Sequence, residues 1–200
     1  PNARKYTLNE KIFDIIDTPE KAWFLGWIIT DGIVRDTTSN YVLRMQLAEC
    51  DEEVLHKFKN ILKSNTPIRI QKSYGINRQR QVYITFCSKY LIESLSKLRI
   101  ISNKTFITEF PDISFDLYPY FLRGVFEGDG CLYIIKYNKG IITIVSTSFV
   151  FTKSLFNYLN TCGIYCVLNK RNNYYTLNIL RKEEALSFLR HIYSDNLEYV

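Results

Sequence analysis

The 200 residues contain only two histidines, His56 and His191, and an odd number of cysteines, five. Cys162 and Cys166 have no second pair and no histidine at ligand spacing, which reads against a zinc module and for reduced, partly buried thiols in an intracellular protein. No apolar run approaches the roughly 18 residues a membrane-spanning helix needs, and no signal peptide is visible. A dense acidic cluster, of the kind two-metal phosphodiester chemistry often assembles in one place, is also missing. The chain begins at Pro1 with no initiator methionine, as a piece of a longer protein would.

What is present describes a globular chain: 46% hydrophobic and 23% charged side chains, enough for one large core or two fused small ones. A net charge of +6 points toward a polyanionic partner, and the modest excess needs support from the placement of the charges.

That support begins with a repeat. Thr18 to Gly32 reads TPEKAWFLGWIITDG and Asp116 to Gly130 reads DLYPYFLRGVFEGDG. Each stretch opens on an N-cap residue type, Thr18 or Asp116, carries a proline in its first turn, and runs through an apolar segment to a terminal Asp-Gly. Gly32 and Gly130 suit a left-handed helix stop. Asp31 and Asp129 sit at the negative pole of a helix, where a carboxylate is disfavoured by a few tenths to roughly 1 kcal/mol. A divalent cation would offset that cost, since hard metals take carboxylate oxygens and helix ends offer unpaired carbonyls beside them. Gly26 and Gly124 lie five residues before the aspartates, and a glycine inside a helix costs about 1 kcal/mol against alanine, which favours close helix packing as their purpose.

The two aspartates are 98 positions apart, and the same elements follow each. In the first half a strand begins at Ile33. A second, Tyr41 to Ala48, sets Leu43, Met45 and Leu47 on one face and Arg44 and Gln46 on the other. Asp51 is expected to cap a helix, DEEVLHKFKNILKS, followed by strands near Ile68 to Ser73 and Gln81 to Cys87 and a helix through Leu91 and Leu95. The second half has strands near Cys131 to Tyr137 and Ile141 to Val145, a Ser148-capped helix, strands near Tyr165 to Asn169 and Tyr174 to Leu180, and a helix from Lys182. The fold class is therefore α+β, a tandem pair of αββαββα units, each with an antiparallel sheet. Residues 1–100 form one half-domain, 101–116 a linker and 117–200 the other.

One face of each sheet is apolar, so the other meets water or a ligand. Arg35, Arg44, Gln46, Arg69, Gln71, Arg80, Gln81 and Lys136 are candidates for that second face. Arg78, between Asn77 and Gln79, lies in a hairpin loop, as do Asn138, Lys139, Arg171, Asn172 and Asn173. These are the side chains that pair with phosphates and base edges, and a two-stranded ribbon fits the major groove. The 15 tyrosines are read as mostly core or rim, with no base stacking.

FLGWIITDG and LRGVFEGDG resemble the two signature helices of a single-chain LAGLIDADG homing endonuclease, and the resemblance extends over nearly the whole chain. It implies a saddle of two antiparallel sheets straddling duplex DNA in the major groove, with the signature helices forming the interface between halves. It further implies cleavage of both strands across the minor groove, leaving short 3′ overhangs. By the same resemblance Asp31 and Asp129 are metal-binding acids for Mg2+, with Mn2+ or Ca2+ able to occupy the same sites and Ca2+ not supporting cleavage. Gly26 and Gly124 are the helix-packing glycines, and Glu127 takes a position that is not the main ligand. Lys104, in SNKTFITEFP, matches an active-site lysine; Glu49 and Ser146, at the ends of matching strands, match water-organising polar residues. The chain departs from the pattern at DNLEYV, near where a second basic residue would be expected.

The partner so implied is a long, asymmetric DNA site bound by a monomer, in a prokaryotic or phage-infected cytoplasm or an organellar matrix. An intron maturase or a nuclease-inactive regulator would keep the same fold. Self-splicing is excluded for this segment, because it ends in Tyr-Val and not in the His-Asn of intein chemistry.

Overall fold

The computed structural model describes residues 5–38, 40–71, 80–101, 110–135 and 139–194. Helix α1, Pro19–Asp31, starts where Thr18 is extended, its hydroxyl accepts the Lys21 N–H at 3.4 Å, and proline fills the first helical position. It runs directly into strand β1, Gly32–Thr37, which pairs with β2, Asn40–Ala48. A 3-10 turn, Glu49–Asp51, leads to α2, Glu52–Ile61, then β3, Arg69–Gln71, β4, Gln81–Cys87, and α3, Lys89–Lys97. The second half repeats this order: α4, Tyr118–Asp129; β5, Gly130–Ile135; β6, Lys139–Ser146; α5, Phe149–Thr161; β7, Val167–Lys170; β8, Tyr175–Ile179; α6, Lys182–Tyr193. The sheets are four-stranded and antiparallel, in the orders β1-β2-β4-β3 and β5-β6-β8-β7. The strand that follows each long helix is thus a sheet edge, and β3 and β7 form the opposite edges.

Period-two alternation selects the buried face. Leu43, Met45 and Leu47 on β2 face Phe86, Ile84 and Val82 on β4, and all six are buried. Ile142 and Ile144 face Ile179 and Leu177 in the same way. Phe24 of α1 stacks on Phe58 of α2 with ring centroids 4.0 Å apart, which ties the signature helix to the amphipathic helix of its own half. In the other half Phe110, just before α4, packs against Tyr118, Phe121, Phe151 and Tyr158.

Several local expectations are corrected. Asp116 does not cap α4: it lies in a 3-10 turn, Phe115–Leu117, and accepts a hydrogen bond from Ser114, so the N-cap position falls to Leu117. Asp51 makes no side-chain cap for α2, because the preceding 3-10 turn already engages that segment, and α2 ends at Ile61 rather than Ser64, with Lys63 at φ 46° just beyond. Gly32 and Gly130 are not left-handed. Their φ values are −76° and −78°, the extended backbone of a helix that passes straight into a strand. Glycine is required there by space: a β-carbon on Gly32 would lie 2.6 Å from the Ile28 carbonyl oxygen, and one on Gly130 would meet the Phe126 ring.

Ser148 is fully buried and its hydroxyl accepts the Phe151 N–H at 3.2 Å. Ser148→Ala is expected to cost roughly 1 kcal/mol of stability, read as a lowered midpoint in urea unfolding. His191 of α6 sits 2.9 Å from the Tyr158 hydroxyl, and burial pushes its pKa below the ordinary value. The unfolded chain then binds the proton more readily than the fold does, so stability is retained above about pH 6.5 and falls as pH drops through the depressed pKa. His191→Gln should flatten that part of the loss when urea midpoints at pH 7.5 and 5.5 are compared.

Candidate nucleic-acid interface

The two halves meet along α1 and α4, which run parallel. A β-carbon on Gly26 would meet the Phe121 carbonyl oxygen and lie 2.7 Å from the Val125 nitrogen and 2.8 Å from Gly124 Cα. One on Gly124 would meet the Trp23 carbonyl oxygen and lie 3.1 Å from Gly26 Cα. Backbone therefore packs on backbone, with glycine against glycine. Because Trp23 and Gly26 meet residues 121 to 125 while Thr30 and Asp31 meet Gly128, both aspartates lie at the same end of the pair.

At that end a β-carbon on Gly128 would clash with Thr30 Oγ1 and lie 2.8 Å from Asp31 Oδ2. The Thr30 hydroxyl donates to Asp31 Oδ2 at 2.9 Å. Asp31 is half-buried, and Asp129, the residue after Gly128, is exposed. The close approach of Gly128 to Thr30 and Asp31 was not expected from the sequence; its place opposite Thr30 in the aligned motifs was the available signal. Among the described residues no group of three or more His, Cys, Asp or Glu could hold a metal ion. Two hard carboxylates at helix ends nevertheless fit a Mg2+-like ion, which keeps several waters and commonly takes one or two carboxylates plus substrate phosphate oxygens.

Glu127 is committed elsewhere. Its Oε2 accepts the Trp23 and Trp27 indole N–H groups at 2.6 and 3.3 Å, and its Oε1 accepts Arg123 Nε at 2.8 Å and the Tyr193 hydroxyl at 3.4 Å. Arg123 also lies over the Tyr193 ring, and burial with the Glu127 charge pushes the Tyr193 pKa up to about 12. This network joins α1, α4 and α6 across the interface. Two tryptophans four residues apart were its only trace in the sequence.

The register places Arg35, Arg44, Gln46, Arg69, Gln71 and Gln81 on the open face of the first sheet, with Tyr83 and Thr85. Arg44 Nη2 donates to Gln46 Oε1 at 2.7 Å and Gln71 Oε1 at 2.6 Å, and its guanidinium lies 3.8 Å over the Tyr83 ring. Arg44 Nε is buried with no acceptor. Gln46 Nε2 donates to Gln81 Oε1 at 2.5 Å. Hydrogen bonds from Arg69 to Tyr83 and Tyr6 hold its guanidinium pKa above the usual range, beside a cleft of about 340 Å³ that Lys5 also lines. Gln46, Gln71, Gln81 and Tyr83 thus form a connected array around the Arg44 guanidinium.

Arg80 lies just before β4 and its Nη1 is 3.3 Å from Glu49 Oε1. Glu49 therefore follows β2 paired to a cation, while Ser146 ends β6 and its hydroxyl accepts the Ser148 N–H at 3.2 Å. The two are not equivalent by register: Gly32 faces Met45 and Gly130 faces Ile144, so Ser146 takes the place of Leu47. Arg171 is exposed in the β7–β8 turn, where its N–H donates to the Tyr174 carbonyl. Lys104, Arg78 and Lys136 lie outside the described residues, as does the side chain of Lys139, whose backbone pairs with Ile135.

Residues 116–193 match the LAGLIDADG-like domain family. No curated protein matches the chain in sequence. Among solved structures, the chain is similar to the homing endonuclease I-DmoI in complex with DNA and Mn, at 16% identity over 90% of this chain and 98% of that chain, with a TM-score of 0.60. It is similar to the homing endonuclease I-WcaI bound to its DNA recognition sequence, at 15% identity over 92% and 84%, with a TM-score of 0.65. It is also similar to the N-terminal LAGLIDADG domain of DUF199/WhiA, at 21% identity over 95% and 90%, with a TM-score of 0.55. Residues 116–193 thus resemble a LAGLIDADG-like domain, the first half repeats the same elements in the same order, and the whole carries the fold of the LAGLIDADG homing endonucleases.

Proposed function

We propose that the chain is a divalent-metal-dependent, site-specific DNA endonuclease that hydrolyses one phosphodiester bond in each strand and leaves short 3′ overhangs. The observation that carries this reading is the meeting of the two Asp-terminated helices, with Asp31 against Gly128 and Asp129 next in the chain, at the point where both sheets begin. The likeness to I-DmoI, a protein known in complex with DNA and Mn, supports it.

In this reading Asp31 and Asp129 hold the cation, which when bound supplies Lewis acidity at phosphate and lowers the pKa of bound water. The chain does the rest by position. The glycine contact keeps the two carboxylates within one small region, so that each serves one strand of the duplex. The Glu127 network holds α1, α4 and α6 in a single arrangement, and the open faces of the sheets grip the duplex on either side. By the family resemblance Lys104 would supply positive charge to the reaction, and Glu49 and Ser146 would order water. Phosphate contacts dominate affinity and base contacts dominate choice of site, so binding is strongly salt-dependent. The substrate is a long asymmetric duplex bound by a monomer inside the cell or organelle that carries the target.

A second reading, a nuclease-inactive DNA-binding module or an intron maturase, keeps the same fold and is supported by the likeness to the N-terminal LAGLIDADG domain of DUF199/WhiA. Incubation with a randomised duplex library and Mg2+ separates the two. The endonuclease yields double-strand cuts at a recurrent sequence; retention of duplexes in gel shifts without any cuts would establish the second reading.

A further inference from the structure

The two sheets have the same topology but do not carry the same open face. Gly32 faces Met45, and Met45 faces Ile84; Gly130 faces Ile144, and Ile144 faces Leu177. Superposing the sheets on these pairs puts Tyr133 in the place of Arg35, Thr143 in that of Arg44 and Val145 in that of Gln46. Two arginines and a glutamine are thereby exchanged for a tyrosine, a threonine and a valine. Tyr133 is 55% exposed and Val145 42%, so the apolar surface faces outward. The Thr143 hydroxyl donates to Asn178 Oδ1 at 3.0 Å, and Asn178 Nδ2 donates to the Thr176 hydroxyl at 3.0 Å, which ties the strip's polar groups to one another. Lys170 and Arg171, both exposed at the β7 edge, keep positive charge on the flank.

We propose, resting on the DNA-cleaving reading, that the two halves recognise their half-sites by different chemistry: β1–β4 by hydrogen bonds to purine edges, and β5–β6 by apolar contact with thymine methyl groups. Arg44 gives both Nη2 hydrogens to Gln46 and Gln71, lies over Tyr83 and has its Nε buried, which leaves the Nη1 hydrogens as its donors for guanine O6 or N7. Tyr133, Thr143 and Val145 carry no cation. The group in the major groove that apolar side chains distinguish is the thymine C5-methyl. The flanking cations favour a duplex over a second copy of this chain, which at net charge +6 would be repelled.

The test uses the whole chain and a duplex selected from a randomised library, with thymine replaced by deoxyuridine in one half-site at a time. The replacement deletes only the methyl. Substitution in one half-site is expected to weaken binding about fourfold for each methyl buried, and substitution in the other by less than twofold. The Tyr133→Ala/Val145→Ala variant should lose the sensitivity and Arg44→Ala should keep it. Equal sensitivity in both halves, or none in either with binding intact, would overturn the inference and leave DNA binding standing. If no duplex is retained at all, both readings fall. A concentration-dependent dimer in sedimentation that Tyr133→Ser dissociates would also overturn it, since the strip would then be a self-interface.

Discussion

Asp31→Asn and Asp129→Asn are each expected to slow double-strand cleavage by on the order of 10³-fold, the scale of several kcal/mol of metal-derived stabilisation of the transition state. Asparagine keeps the size of the side chain and one oxygen but removes the charge that holds a hard cation at the negative pole of a helix. Duplex affinity should stay level or rise slightly, because each substitution removes a negative charge that faces phosphate. The two effects are read together, as single-turnover cleavage with Mg2+ and as gel-shift affinity with Ca2+. Cleavage of both strands at the unaltered rate by either variant would show that the aspartate in question is not a metal ligand.

Gly26→Val should destabilise the fold by roughly 3 kcal/mol, the upper range for overpacking, because the new side chain meets α4 backbone atoms that have no rotamer to yield. The measurement is the urea midpoint at constant m-value. Gly128→Ala provides the contrast. Its β-carbon meets Thr30 Oγ1 and Asp31 Oδ2, which can rotate away, but also lies 2.8 Å from Thr30 Cβ, which moves only with the helix, so stability should fall by about 1 kcal/mol, less than for Gly26→Val, while cleavage falls as the Asp31 carboxylate moves. A Gly26→Val midpoint equal to that of the unaltered chain would mean that the helices do not pack as described. Full cleavage by Gly128→Ala would mean that the Asp31 rotamer does not matter.

How far the sequence could be read depended on the range of the interactions involved. Strand alternation around Leu43 and Met45, the caps at Thr18 and Ser148 and the duplicated order of elements are local patterns with a period of a few residues, and they were legible. Asp116 was misplaced because Ser114 and Asp116 prefer each other's hydrogen bond in a turn, a competition that cap statistics do not resolve. Gly32 and Gly130 were assigned to the right positions for the wrong reason, since a left-handed stop and a close approach both select glycine. The Glu127 network spans residues 23, 27, 123, 127 and 193, and no local pattern connects them.

Periodicity, helix polarity and backbone cost act within one turn or one strand, so the duplication, the two α+β units and the four motif residues Gly26, Asp31, Gly124 and Asp129 could be read from the chain alone. That glycine packs on glycine, that Asp31 rests against Gly128, and that Val145 stands where the first half has Gln46 came from the folded chain. Those are facts of register and helix crossing. They depend on a one-residue difference between two hairpins and on which carbonyl each glycine meets, and both are set by the packing of the whole core.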